Sequence, residues 1–96
     1  MSRSEGTPTQ FANALSAIDD MLQFRIIQKG YGLGCSIHEV AGLVEEERRE
    51  MWDEVHKENV TSFRDELIDI AVAAIYGVAS IDAGSFLPWD VDKSSD

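Results

Sequence analysis

The chain is 96 residues long, room for one small domain, and its 18 acidic against 8 basic residues leave a net charge of −10. That balance excludes a surface built to grip a nucleic-acid backbone, which needs a basic footprint. No apolar run reaches the ~20 residues of a membrane span. The one cysteine, Cys35, excludes an internal disulfide and, with no apolar leader run in Met1 to Gly6, predicts a cytoplasmic protein.

Residues 1–6 read as a disordered polar tail, and the helical domain spans residues 7–84. Thr7-Pro8-Thr9-Gln10 supplies an N-cap, a proline at the first helical position and a capping-box glutamine. Phe11, Leu15, Ile18, Leu22 and Ile26 then recur at helical spacing as a core stripe, which Gly30 ends. Lys29 to Cys35 is glycine-rich, but no strand precedes it, so it is an interhelical loop and not a phosphate-cradling one. Tyr31 stands in that loop as a candidate stacking residue.

A second helix opens on another capping box, Ser36-Ile37-His38-Glu39, with Ile37, Val40, Ala41, Val44, Met51 and Val55 as its stripe. Glu47, Glu50 and Glu54 fall along one edge of that stripe, whereas Glu45 and Arg49 point elsewhere. The third helix runs from about Thr61 to Asp82 and is apolar on two sides, Ile70, Ala74, Val78 and Ile81 on one and Ile68, Val72, Ile75 and Ala79 on the other. Its remaining sector, Glu66, Asp69, Ala73, Tyr76 and Gly77, forms a notch for a ligand or a close helix. Three helices from one chain leave such a helix partly uncovered. The expected fold is therefore all-α, a three-helix bundle per chain completed by oligomerisation into four-helix-bundle-like units. Residues 85–96 read as an extended tail, with Phe86, Leu87 and Trp89 able to pack on the bundle or a neighbouring subunit.

Glu47 and Glu50, and Glu66 and Asp69, are each three residues apart, which puts both carboxylates of a pair on one helix face. Packing the two helices together gathers four carboxylates, an arrangement that needs a cation. Oxygen-only ligation suits Mg²⁺, with Mn²⁺ as substitute. The plainer reading is a solvated face, since Glu45 to Glu50 is a charge run of the ordinary kind. A di-iron site needs Glu-x-x-His on two helices. The nearest approach is Asp53-Glu54-Val55-His56, and it occurs once only, which disfavours di-iron. His38 and His56 are expected to be structural, and a zinc site lacks its cysteines.

Glu46-Glu47-Arg48-Arg49-Glu50, fifteen intervening residues and Glu66-Leu67-Ile68-Asp69 resemble the ExxE…ExxD signature of the MazG-like all-α nucleoside triphosphate pyrophosphohydrolases. That superfamily includes dimeric dUTPases and phosphoribosyl-ATP pyrophosphatases. The turn Lys29-Gly30-Tyr31-Gly32 before a capped helix is similar as well, and the resemblance covers Gln23 to Ile81. It implies Mg²⁺-dependent hydrolysis of a (d)NTP to the monophosphate and pyrophosphate, in nucleotide-pool house-cleaning. Glu47, Glu50, Glu66 and Asp69 would hold the metal, Glu46 or Glu47 would take the water's proton, and Glu54 and Asp65 would support them. The nucleotide would lie against Lys29, Tyr31, Ala73, Tyr76 and Gly77, or Trp52. The partners implied are the nucleotide and a second copy, as a homodimer or dimer of dimers, with no nucleic-acid polymer and no membrane.

Members of that superfamily carry a further short helix with lysine or asparagine residues. Here Asp82 to Asp96 offers only Lys93, leaving Lys29, Lys57, Arg64 or a neighbouring subunit to meet phosphate. The alternative is a non-catalytic acidic helical interaction module or a degenerate relative.

Overall fold

The computed structural model describes residues 3–86, which form three helices and, among the described residues, no strand. The expected packing of Leu87 and Trp89 lies outside the described residues. None of the three helices is long and apolar enough to cross a membrane.

Helix α1, Pro8–Lys29, starts at a full capping box: the Gln10 amide donates to Thr7 Oγ1 at 3.2 Å and the Thr7 amide to Gln10 Oε1 at 2.9 Å. It ends where Gly30, at φ 80°, turns into the left-handed region that only glycine enters freely, and donates its N–H to the Ile26 carbonyl. Helix α2, Ile37–His56, is capped by the Ser36 side chain, which accepts from the Glu39 amide. The reciprocal half of the expected box does not form. The Glu39 carboxylate turns instead to the Cys35 amide, one residue before the cap. Helix α3, Val60–Asp82, begins at Asn59, whose side chain accepts from the Ser62 amide.

Only Lys57, Glu58 and Asn59 separate α2 from α3, so the two pack as antiparallel neighbours. Helix α3 is central: α2 lies along one side, α1 on another, and α1 and α2 hardly meet. The α2–α3 seam is close because Gly77 presents no side chain. A Cβ there would stand 2.6 Å from Val40 Cγ1. The seam also carries the most buried side chain, Ser80, at 0% exposure. Its hydroxyl donates to the Tyr76 carbonyl at 2.7 Å and accepts from the Gly34 amide at 2.9 Å, pinning the α1–α2 loop to α3. Ser80→Ala is expected to lower stability by about 1–3 kcal/mol, because the buried Gly34 N–H loses its acceptor. Urea unfolding measures this, and an unchanged midpoint would mean that the loop is held by something else.

The core inside one chain is slight. Val72 and Ala73 are the buried apolar residues of α3, and neither α1 nor α2 contributes a buried one. The α1 stripe docks only through its second half: Ile18, Leu22 and Ile26 are half-buried, whereas Phe11 and Leu15 are 70% and 69% exposed. On α3, Leu67, Ile75, Val78 and Ile81 also face outward.

Candidate functional site

Antiparallel packing sets Glu47 of α2 opposite Glu66 and Asp69 of α3, while Glu39 of α2 meets Tyr76 of α3 two turns away. One oxygen from each of Glu47, Glu66 and Asp69 lies within 4.8 Å of the others. Glu50 completes the electrostatic group, close enough to act on both Glu47 and Glu66. Glu47 is pushed up to about 7, first by burial and then by the charges of Glu50, Asp69 and Glu66. Glu66 is raised for the same reasons, burial first. Glu47 Oε2 and Glu66 Oε2 are both shielded from solvent and have no hydrogen-bond donor.

A buried carboxylate oxygen without a donor is unfavourable by some 1–3 kcal/mol or more, and here two stand together. The donor set fits a hard divalent cation. In an octahedral Mg²⁺ shell neighbouring oxygens lie about 3 Å apart and opposite ones about 4.2 Å, so three oxygens within 4.8 Å of one another would draw in by up to about 2 Å around the ion.

The group sits beside an open-sided cavity of about 600 Å³ bounded by α1, the α1–α2 loop and the α2–α3 hairpin. Glu47 and Asp69 line it at one end, Leu43, Val72 and Ala73 line its middle, and Glu39 and Tyr76 its other end. From Asp69 to Tyr76 is about 10 Å along the helix axis. Arg25 and Lys29, one turn apart on α1, are the cations lining the cavity among the described residues. Arg25 Nη2 reaches Asp69 Oδ1 at 3.4 Å.

Of the residues singled out from the sequence, Lys29, Tyr31, Ala73 and Tyr76 line this cavity. Gly77 does not, because Val40 fills the space over it: the close helix, not a ligand, occupies that part of the notch. Glu46 is exposed and lies outside both the cavity lining and the carboxylate triad. Glu54 is half-buried and pairs with Lys57 at 3.7 Å, while Asp65 and Arg64 are exposed. Trp52 packs by its neighbour His56, ring centroids 6.4 Å apart, away from the cavity. Glu45 belongs to the solvated face: Arg48 holds it through two contacts of 2.8 Å, and Arg49 through one of 3.4 Å, which draws it down to about 2.

Two residues of the site escaped the sequence reading. Arg25 follows Leu22 by three and precedes Lys29 by four, which places it on the docking face of α1, a usable signal. Glu39 has the spacing of a capping residue, and nothing local indicates that its carboxylate turns toward Tyr76.

Comparison with protein-family models, with curated proteins and with solved structures finds no match for this chain.

Proposed function

We propose that this protein is a Mg²⁺-dependent nucleoside triphosphate pyrophosphohydrolase, releasing a nucleoside monophosphate and pyrophosphate. One observation carries the reading: two buried carboxylate oxygens without donors, in a triad within 4.8 Å, beside a cavity with room for a nucleotide. The spacing of the two acidic motifs, which resembles that of the MazG-like enzymes, supports it independently.

Glu47, Glu66 and Asp69, with Glu50 beside them, would hold the metal. Bound there, a divalent cation offsets phosphate charge and lowers the pKa of an attacking water. In-line displacement at phosphorus asks mainly for positioning and neutralisation. Arg25 and Lys29 stand on the opposite wall, where their charges meet a polyphosphate. Of the two glutamates considered for the water's proton, Glu47 faces the cavity and Glu46 does not, so the proposal gives that task to Glu47. A second copy covering Leu67, Ile75, Val78 and Ile81 belongs to the same reading, supported by their exposure along one side of α3, at 39–58% each.

Pyrophosphate release from a panel of dNTPs with Mg²⁺ tests the proposal. Asp69→Asn and Glu50→Gln are expected to lower turnover about 100-fold or more, as loss of charge stabilisation at a reacting phosphate does. Equal turnover in parent and variants removes these residues from catalysis. The exposed apolar faces favour a second reading, a helical interaction module. It predicts no change in melting temperature with Mg²⁺ or nucleotide.

A further inference from the structure

We infer that the end of the cavity where Glu39 meets Tyr76 is a base-reading subsite, selecting a nucleobase with an exocyclic amino group, cytosine or adenine, over uracil or thymine. The inference rests on the nucleotide chemistry proposed for the carboxylate end and names the class of substrate that the same cavity takes.

The cavity has chemistry at both ends and little between. Glu47 lies eight positions after Glu39, about 12 Å of helix, and between them Leu43 of α2 faces Val72 and Ala73 of α3 across the lining. A ligand whose anionic end lies at Glu47 and Asp69 therefore crosses apolar surface and presents its far end to Glu39. An apolar body with a few placed polar groups is how small-molecule sites fix orientation.

What Glu39 can recognise follows from its partners. Oε2 accepts from the Cys35 amide at 3.2 Å and from Cys35 Sγ at 3.0 Å, and Oε1 accepts from the Tyr76 hydroxyl at 3.2 Å. These donors favour the ionised form: the contacts to Cys35, then that to Tyr76, hold the carboxyl below its usual range. An ionised carboxylate has about four acceptor positions and no proton to give. Three are taken, so one remains for a ligand. The Tyr76 hydroxyl has committed its proton to Glu39 and offers only lone pairs to a further group. Two acceptors side by side suit an amino group with two hydrogens.

Cytosine N4 and adenine N6 are such groups, whereas uracil and thymine bring O4, an acceptor whose lone pairs would face a charged carboxylate. Tyr31, 80% exposed at the rim, has a free ring face on which a base can stack. The Glu39 side chain is itself open to water, so the discrimination expected is about tenfold and not the far larger factor of a sealed pocket.

The test compares kcat/KM for dCTP, dATP, dUTP and dTTP, and calorimetric binding of dCMP and dUMP, in the parent, Glu39→Gln and Tyr76→Phe. The parent is expected to favour the amino-bearing bases about tenfold. Glu39→Gln, whose amide can donate to O4, is expected to bring the dCTP:dUTP ratio to near one by gaining on dUTP. Tyr76→Phe is expected to narrow the ratio without reversing it. No preference in the parent, failure to bind either monophosphate, or an equal loss on all four bases in Glu39→Gln overturns the inference. The last outcome would make Glu39 only a brace for the Cys35 loop. The two readings fail separately. Pyrophosphate release without base preference sinks the subsite alone, and dCMP preference without pyrophosphate release sinks the hydrolysis alone.

Discussion

Glu47→Gln is expected to raise the melting temperature of the metal-free protein at about pH 8 while sharply lowering pyrophosphate release. The carboxyl of Glu47 is raised from 4.5 to about 7 by burial and by the Glu50, Asp69 and Glu66 carboxylates. Its folded state therefore binds the proton more tightly than the unfolded chain does. Linkage then gives the sign: stability is greatest below about pH 4.5, falls as the pH rises toward about 7, and above that carries the whole penalty of an ionised Glu47. Glutamine keeps the shape and removes the charge, so the variant loses that decline. Mg²⁺ is expected to stabilise the parent, by about 2.7 kcal/mol at 100 times its dissociation constant, and the variant much less. Turnover with Mg²⁺ is expected to fall about 100-fold or more. Thermal melts at several pH values, each with and without Mg²⁺, check the whole set. A variant that melts below the parent at pH 8, or gains equally from Mg²⁺, would disprove the account of the cluster.

The second large effect is structural. Gly77→Val is expected to unfold the chain, and Gly77→Ala to destabilise it by about 1–2 kcal/mol, although alanine is the better helix former by about 1 kcal/mol. A Cβ at 77 would lie 2.6 Å from Val40 Cγ1, nearer than any real contact. Val40 is β-branched and confined within its helix to essentially one rotamer, so it cannot turn aside. The α2–α3 seam must open instead, and that seam holds Ser80, Val72 and Ala73, the small core of the chain. Val40→Ala is expected to rescue Gly77→Ala in a double-mutant cycle read by urea unfolding. A Gly77→Ala protein more stable than the parent would show that the two helices can separate without penalty.

The helices were legible because their ends are written locally. Thr7 with Gln10, Pro8, Gly30 and Ser36 each act within four residues, and the structure uses every one of them. Glu39 marks the limit of that logic. Its spacing from Ser36 is that of a capping box, yet a tertiary donor, the Tyr76 hydroxyl, and the Cys35 amide take the carboxylate instead. The facing of Glu47 by Glu66 and Asp69 was an expectation from face and spacing. The partner of Asp69 was not, because Arg25 lies 44 positions away and no local period links the two. Least legible was the depth of burial. Phe11, Leu15, Val78 and Ile81 have the periodicity of a core, but periodicity states only that a face is apolar and not what covers it.

Helix α1 supplies Leu22, Arg25, Ile26 and Lys29 to the cavity, yet it buries no residue of its own and leans almost wholly on α3. Local stability follows buried contact, so this wall is the least anchored of the three helices. Its undocking would free Asp69 from Arg25 and open the trough along its length in a single event. A ligand that bridges α1 to α3 would then act as the missing mortar of the fold.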